Sequence, residues 1–119
     1  MKRKILIVDD ATIVRKMIIS MLNKDKYEFY EASNGYDGIN LYNEIKPDLV
    51  TLDITMDGLS GMETLKIIKQ HDKDANVVMC SAMGQLSFVT ECLKLGAKHF
   101  LAKPFNKDKI IETVEKFAG

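Results

Sequence analysis

Short runs of apolar β-formers alternate along this chain with stretches in which apolar side chains return every three or four residues. The runs are Lys4–Val8, Tyr27–Ala32, Leu49–Asp53, Asn76–Ser81 and His99–Ala102. ILIV and LVTL are nearly continuous apolar, as strands covered on both faces should be. YEFYEA mixes charge with aromatic rings, which suits an edge strand. The stretches between the runs predict helices. Val14, Met17, Ile18 and Met21 share a face of the first. The second runs Tyr36–Ile45, with Ile39, Leu41, Tyr42 and Ile45 apolar. The third runs Met62–Gln70, with Met62, Leu65 and Ile68 inward. The fourth carries Leu86, Val89, Cys92, Leu93 and Gly96, its core face centred on Leu86, Val89 and Leu93. The last has Ile110, Ile111, Val114, Phe117 and Ala118. Each repeats at the spacing of a half-buried helix.

Local punctuation agrees. Ser60 followed by Glu63 reads as a capping box. Asn34 and Asn106 are N-cap residues for the helices after them. Gly96 can close the fourth helix in a left-handed conformation, and Pro47 ends the second. Strands alternating with helices imply right-handed crossovers and a parallel α/β sheet. Sites in such sheets form beyond the carboxyl ends of the strands.

That rule makes the strand ends the place to look for chemistry. The first run stops at Asp9–Asp10, the third at Asp53, the fourth at Ser81, and the fifth runs into Lys103–Pro104. A parallel sheet carries all of these to one edge. Like charges gathered there cost several kcal/mol unless one is protonated or a cation neutralises them. Hard oxygen ligands without His or Cys suit Mg²⁺, with Mn²⁺ as the alternative. Mg²⁺ usually completes its shell with water and phosphate oxygens, so the cluster points to phosphoryl chemistry. Each residue alone has a duller reading: Asp10 as a helix cap, Asp53 and Ser81 as turn residues, Lys103 as a surface amine. His71 reads as a helix-end residue and His99 as an exposed one, neither catalytic.

Composition narrows the class. At 119 residues, 46% hydrophobic and 29% charged, the chain is expected to form a single domain spanning residues 1–119. Its formal net charge of +0 argues against a sequence-independent nucleic-acid binder. Lys2, Arg3 and Lys4 precede an apolar run, but Asp9–Asp10 breaks it too early for a secretory signal. No segment approaches transmembrane length. Cys80 and Cys92 lack metal or redox spacing and read as small buried thiols in a reducing compartment, so a cytoplasmic protein is expected. A monomer is the expected state.

In ILIVDD, EASNG, KPDLVTLDITM, Gly61, CSAMGQ, LGAKHFLAKPF and the terminal helix, the chain resembles the receiver domains of two-component response regulators, in particular the single-domain chemotaxis type. The resemblance implies a flavodoxin-like (βα)5 doubly wound sheet with strand order 2-1-3-4-5. It implies that Asp53 is the phosphoacceptor. Asp9, Asp10, Asp53 and the backbone carbonyl of Thr55 would hold Mg²⁺. Lys103 and Ser81 would stabilise the phosphoryl group, with Ser81 and Phe100 as switch residues and a cis bond between Lys103 and Pro104. A histidine kinase would be the donor. The target would be a flagellar-motor component or adaptor, docked on Phe88, Leu95, His99 and Phe100, with no role for nucleic acid or membrane. The protein would promote only its own phosphorylation and dephosphorylation and not otherwise be an enzyme.

Departures from the pattern are Asp57, where the family often has proline, and Phe100 in place of tyrosine. Thr55 and Met83 occupy positions that in this family influence the dephosphorylation rate. A phosphorelay intermediate is the alternative within the same fold. An aspartyl-phosphate hydrolase of the haloacid dehalogenase type would need a second Asp where Thr55 stands. A flavin carrier would need a Ser-, Thr- and Gly-rich first loop where Asp9–Asp10 would repel phosphate.

Overall fold

The computed structural model describes residues 1–82 and 84–118. The order of elements is β1 (Arg3–Val8), α1 (Thr12–Ser20), β2 (Tyr27–Ala32), α2 (Gly35–Ile45), β3 (Leu49–Asp53), α3 (Gly61–His71), β4 (Val77–Ser81), α4 (Leu86–Lys94), β5 (His99–Ala102) and α5 (Lys107–Ala118). The strands form one parallel sheet in the order β2-β1-β3-β4-β5, the flavodoxin-like arrangement. YEFYEA is an edge strand, as its mixed polarity predicts. Among the described residues no helix is long and apolar enough to cross a membrane.

The strand pattern decides how the layers pack. Successive side chains point to opposite faces, and a central parallel strand must be apolar on both. Leu6, Val8, Val50, Leu52, Val77 and Met79 face one way and meet Tyr42, Leu65, Ile68, Val89 and Cys92 from α2, α3 and α4. Ile5, Ile7, Leu49, Val78, Cys80 and Leu101 face the other and meet Ile18, Leu22, Ile110 and Val114 from the α1 and α5 side. Each fully buried aliphatic side chain contributes about 1.5–3 kcal/mol, so these two cores hold the strand ends in place.

The caps follow the sequence. Ser60 and Glu63 form a reciprocal capping box. Asn34 accepts from the Asp37 amide and Asn106 from the Lys109 amide. Gly96 has φ +109°, so the turn after α4 uses its missing Cβ. Asp10 is not a cap: α1 begins after Ala11 with no side-chain cap at all.

Two helix faces differ from expectation. In α1, Ile18 is buried and Met17 is exposed, because the inward stripe runs through Val14, Ile18, Met21 and Leu22 and leaves Met17 about 100° away. In α4 the buried pair is Val89 and Cys92, whereas Leu86 is 70% and Leu93 is 42% exposed. The expected face was centred on Leu86, Val89 and Leu93. The real one is turned about 60° at the 3.6-residue period, toward Gln85 and Gly96. More than half of LSFVTECLK is apolar, so its periodicity tolerates either rotation. The turn through Gly96 decides: the buried Ala97 donates its amide to the Cys92 carbonyl at 3.0 Å and anchors that end of the helix.

One glycine links packing to the strand edge. A Cβ on Gly61 would lie 2.0 Å from the Asp53 carbonyl oxygen and 2.7 Å from Ile54 Cα. These are backbone atoms and cannot swing aside, so α3 can start against the end of β3 only with glycine there. Gly61→Ala is expected to lower stability by about 2 kcal/mol, the scale of overpacking a close contact. Urea unfolding measures it, and a change below a few tenths would contradict the contact.

Candidate functional site

Strand register brings the acidic residues together. Val8 pairs with Leu52 in the parallel β1–β3 ladder, so Asp9, one residue beyond, arrives beside Asp53. Asp53 in turn lies opposite Cys80, which puts Ser81 one step further along β4, paired with Ala102. Asp10, just past the strand end, completes the group. One carboxylate oxygen from each of Asp9, Asp10 and Asp53 lies within 4.8 Å of the others. Asp9 is 3% and Asp53 7% exposed, and Asp10 opens to solvent.

Lys103 reaches this group from the loop after β5. Its Nζ is 3.2 Å from Asp9 Oδ2 and 3.3 Å from Asp53 Oδ1. A backbone hydrogen bond holds it there: the Lys103 amide donates to the Ser81 carbonyl at 2.7 Å. The Lys103–Pro104 peptide bond is cis. Asp9 is fixed from both ends. Its Oδ1 accepts the Ala11 amide at 2.9 Å, and its carbonyl accepts from Arg15 Nη1 at 2.6 Å. Arg15 is itself held by Glu31 on β2 at 3.0 Å.

The electrostatics are those of two buried anions sharing one cation. Burial raises the Asp53 pKa, the Asp9 charge raises it further, and Lys103 and the Thr55 amide only partly offset this. Burial works against the Lys103 charge, but the attraction and hydrogen bonds of Asp53 and Asp9 outweigh it, so the ammonium is held above the usual lysine range. Cys80, beside Asp53, is a different case: burial pushes its thiol up to about 12, which leaves it protonated and unreactive.

The donor set fits a hard divalent cation. It offers carboxylate oxygens from three residues at one point, with one side open through Asp10. One lysine leaves these carboxylates short of positive charge. A small oxygen-seeking cation such as Mg²⁺ would be held by Asp9, Asp10 and Asp53.

The remaining sequence candidates divide. Thr55 is exposed two residues after Asp53, and Ser81 is buried at the tip of β4. Asp57 is exposed and is not one of the three clustered carboxylates. Phe100 is half-buried against the α2–α4 core, its ring centroid 5.7 Å from that of His99. His99 also stacks on Phe117 at 6.0 Å. Phe88 is 50% exposed, but Leu95 packs against the core and departs from the flank position expected of it, because α4 is rotated. Phe100, Pro104, Phe105 and Lys109 line a groove of about 390 Å³ between β5 and α5. Met83 lies outside the described residues.

Sequence reasoning missed Arg15 and Gln85. Arg15 sits in a helical stretch where an exposed cation is unremarkable. The Gln85 carboxamide accepts the Ala82 amide at 2.7 Å and donates to the Thr55 hydroxyl. Its only signal was its place in the loop after Ser81.

Comparison with known proteins assigns the chain a family. A model of the response regulator receiver domain matches residues 5–115. The chain is 48% identical over 117 residues to a chemotaxis protein CheY of Bacillus subtilis, covering 98% of each. It is 47% identical over 116 residues to the chemotaxis protein CheY of Listeria monocytogenes, covering 97% of this chain and 98% of that one. Among solved structures, the receiver domain of NtrX from Brucella abortus superimposes with a TM-score of 0.91 at 31% identity, covering 96% of this chain and 97% of the other.

The raised Asp53 pKa has a definite consequence. A carboxyl that holds its proton more tightly when folded costs stability as pH rises from the ordinary carboxylate range through its raised value. Asp53→Asn removes that cost. In metal-free buffer the variant is expected to melt higher than the wild type at pH 7, with the gap closing as pH falls below the ordinary carboxylate range. Thermal unfolding from pH 3 to 8 checks it; a gap that widened in acid would mean the opposite sign.

Proposed function

The chain belongs to the response regulator receiver domain family, and from that membership we propose that it is a phosphorylation-activated signalling switch with Asp53 as phosphoacceptor. The observation that carries this reading is the meeting of Asp9, Asp10 and Asp53 within 4.8 Å, with Lys103 paired to Asp9 and Asp53. Residues 1–119 act as one receiver unit, as a monomer in the cytoplasm. A histidine kinase is the donor, and the high identity to chemotaxis proteins favours a target in motility control.

The chemistry follows from the site. A carboxylate oxygen of Asp53 attacks phosphorus in line. The O–P bond forms as the donor's P–N bond breaks, and the departing imidazole nitrogen keeps the electron pair and takes a proton from water. Raised burial keeps Asp53 dry, and Lys103 keeps it oriented through Oδ1. Lys103 and the Ser81 hydroxyl then face the equatorial oxygens, where charge is spread in the transition state. Mg²⁺, held by Asp9, Asp10, Asp53 and the Thr55 carbonyl, supplies positive charge to those oxygens when bound. Return to the resting state needs only water: it attacks phosphorus, phosphate leaves, and the Asp53 carboxylate is restored. Beyond these two steps on its own side chain the protein is not an enzyme.

The new phosphoryl group adds about −1.5 to −2 charge and strong acceptor oxygens at the tip of β3. The Ser81 hydroxyl is drawn toward it, and Phe100, already half-buried, moves further inward into the space vacated. The switch works by packing, since Phe100 has no hydroxyl. The surface that reads it combines Phe88, His99 and Phe100 with the groove bordered by Phe105 and Lys109.

Labelled phosphoryl transfer tests the acceptor. Asp53→Asn should take up no label from a phosphohistidine donor, and persistent label would move the acceptor elsewhere. Asp10→Asn should weaken Mg²⁺ binding at least about tenfold, about 1.4 kcal/mol, in calorimetric titration. Phe88→Ala should weaken capture of the activated target about fivefold, about 1 kcal/mol, the threshold of a contact that matters in an interface. Unchanged target affinity would remove Phe88 from the docking surface.

A further inference from the structure

Gln85 sits at the N-cap position of α4, yet its side chain makes no cap hydrogen bond. Its backbone carbonyl starts the helix by accepting the Val89 amide at 3.1 Å, while its carboxamide turns toward the acidic site. There Oε1 accepts the Ala82 amide at 2.7 Å and Nε2 donates to the Thr55 hydroxyl. One side chain therefore joins the loop after β4, the loop after β3 and the first turn of α4. The joined groups flank Asp53 closely. Ala82 follows Ser81, which lies one step past the residue paired with Asp53, and Thr55 is two residues after Asp53.

We propose that Gln85 is a latch that holds back phosphoryl acceptance: its carboxamide straps the two loops together across the mouth of the site, and must release the Ala82 amide when Asp53 is phosphorylated. This rests on the reading of Asp53 as the phosphoacceptor. A phosphoryl group places several charged acceptor oxygens at the mouth of the site. Hydrogen bonds to an ionised acceptor are roughly twice as strong as neutral ones. The Ala82 amide, held by Gln85, is the first peptide donor after Ser81 along the chain. A phosphoryl oxygen takes that donor from the neutral carboxamide. Gln85 then lets go of Thr55 as well, and the start of α4, with the exposed Leu86 and Phe88, is released from the β3 side. The strap favours the unphosphorylated placement of the loop, so each phosphorylation works against it.

The test uses the full chain, with beryllofluoride in saturating Mg²⁺ as the probe. Gln85→Leu keeps the bulk and removes both hydrogen bonds. It is expected to bind beryllofluoride about fivefold more tightly, the worth of about one net neutral hydrogen bond. Thr55→Val, which cuts the other end of the strap, should give part of that gain. The two changes together should give less than the product of their separate effects, since either one releases the same contact. In the free protein the Ala82 amide should exchange with water faster in Gln85→Leu, by NMR. Unchanged or weaker beryllofluoride binding by Gln85→Leu, or effects of the two variants that simply multiply, would overturn the strap. A wild-type chain that takes up no beryllofluoride would overturn the acceptor reading, and the strap's role in phosphorylation with it. A difference in Ala82 exchange that persisted in that case would show which of the two had failed.

Discussion

Two buried carboxylates, Asp9 and Asp53, lean on a single ammonium, and much else in the molecule is arranged around that imbalance. At an effective dielectric of about 20, two like charges 4 Å apart repel by about 4 kcal/mol. Lys103 offsets this without cancelling it, because it is shared and one-quarter exposed. The site is therefore short of positive charge in a place water only partly reaches. Such a site draws a cation, and it gains from whatever draws charge outward from Asp53.

The fold can carry this because the strain is local and the support is broad. The side chains that hold β1, β3 and β4 in register are almost entirely buried on both faces of the sheet. Register, not any loop, brings Asp9 to Asp53. The loops add fine placement: Arg15 clamps the Asp9 carbonyl, Gly61 lets α3 press against the Asp53 carbonyl, and the Lys103 amide is tied to Ser81. These contacts, with the Lys103 ammonium on Asp9 and Asp53, link the strand ends that carry the chemistry. The same edge runs on into α4, with Leu86, Phe88 and Leu93 exposed, and the groove beside Phe100.

Much of this could be read from residues alone. Periodicity gave the elements in order, with strand ends displaced by at most one residue, since alternation of apolar runs and helical stripes is a strong signal in a doubly wound sheet. Capping at Ser60, Asn34 and Asn106 was equally legible, because a cap is a local bargain between one side chain and the next turn. The acidic group was visible as strand-end residues, and the family resemblance supplied their roles. Where apolar residues crowd a short helix, the reading failed. The excess of Leu, Phe and Val in α4 allowed more than one inward face, and Met17 in α1 was misjudged for the same reason.

The sequence by itself determined which residues are strand-end carboxylates, which stripes must be covered and where the helices begin, because these depend on spacing along the chain. Tertiary structure alone decided the rest: that Lys103 divides itself between Asp9 and Asp53, that α4 turns Leu86 and Leu93 to solvent, and that Gln85 reaches Thr55. The Lys103 and Gln85 contacts join residues brought near only when the sheet closes its register. No local pattern records these two, since their partners lie thirty or more positions away along the chain.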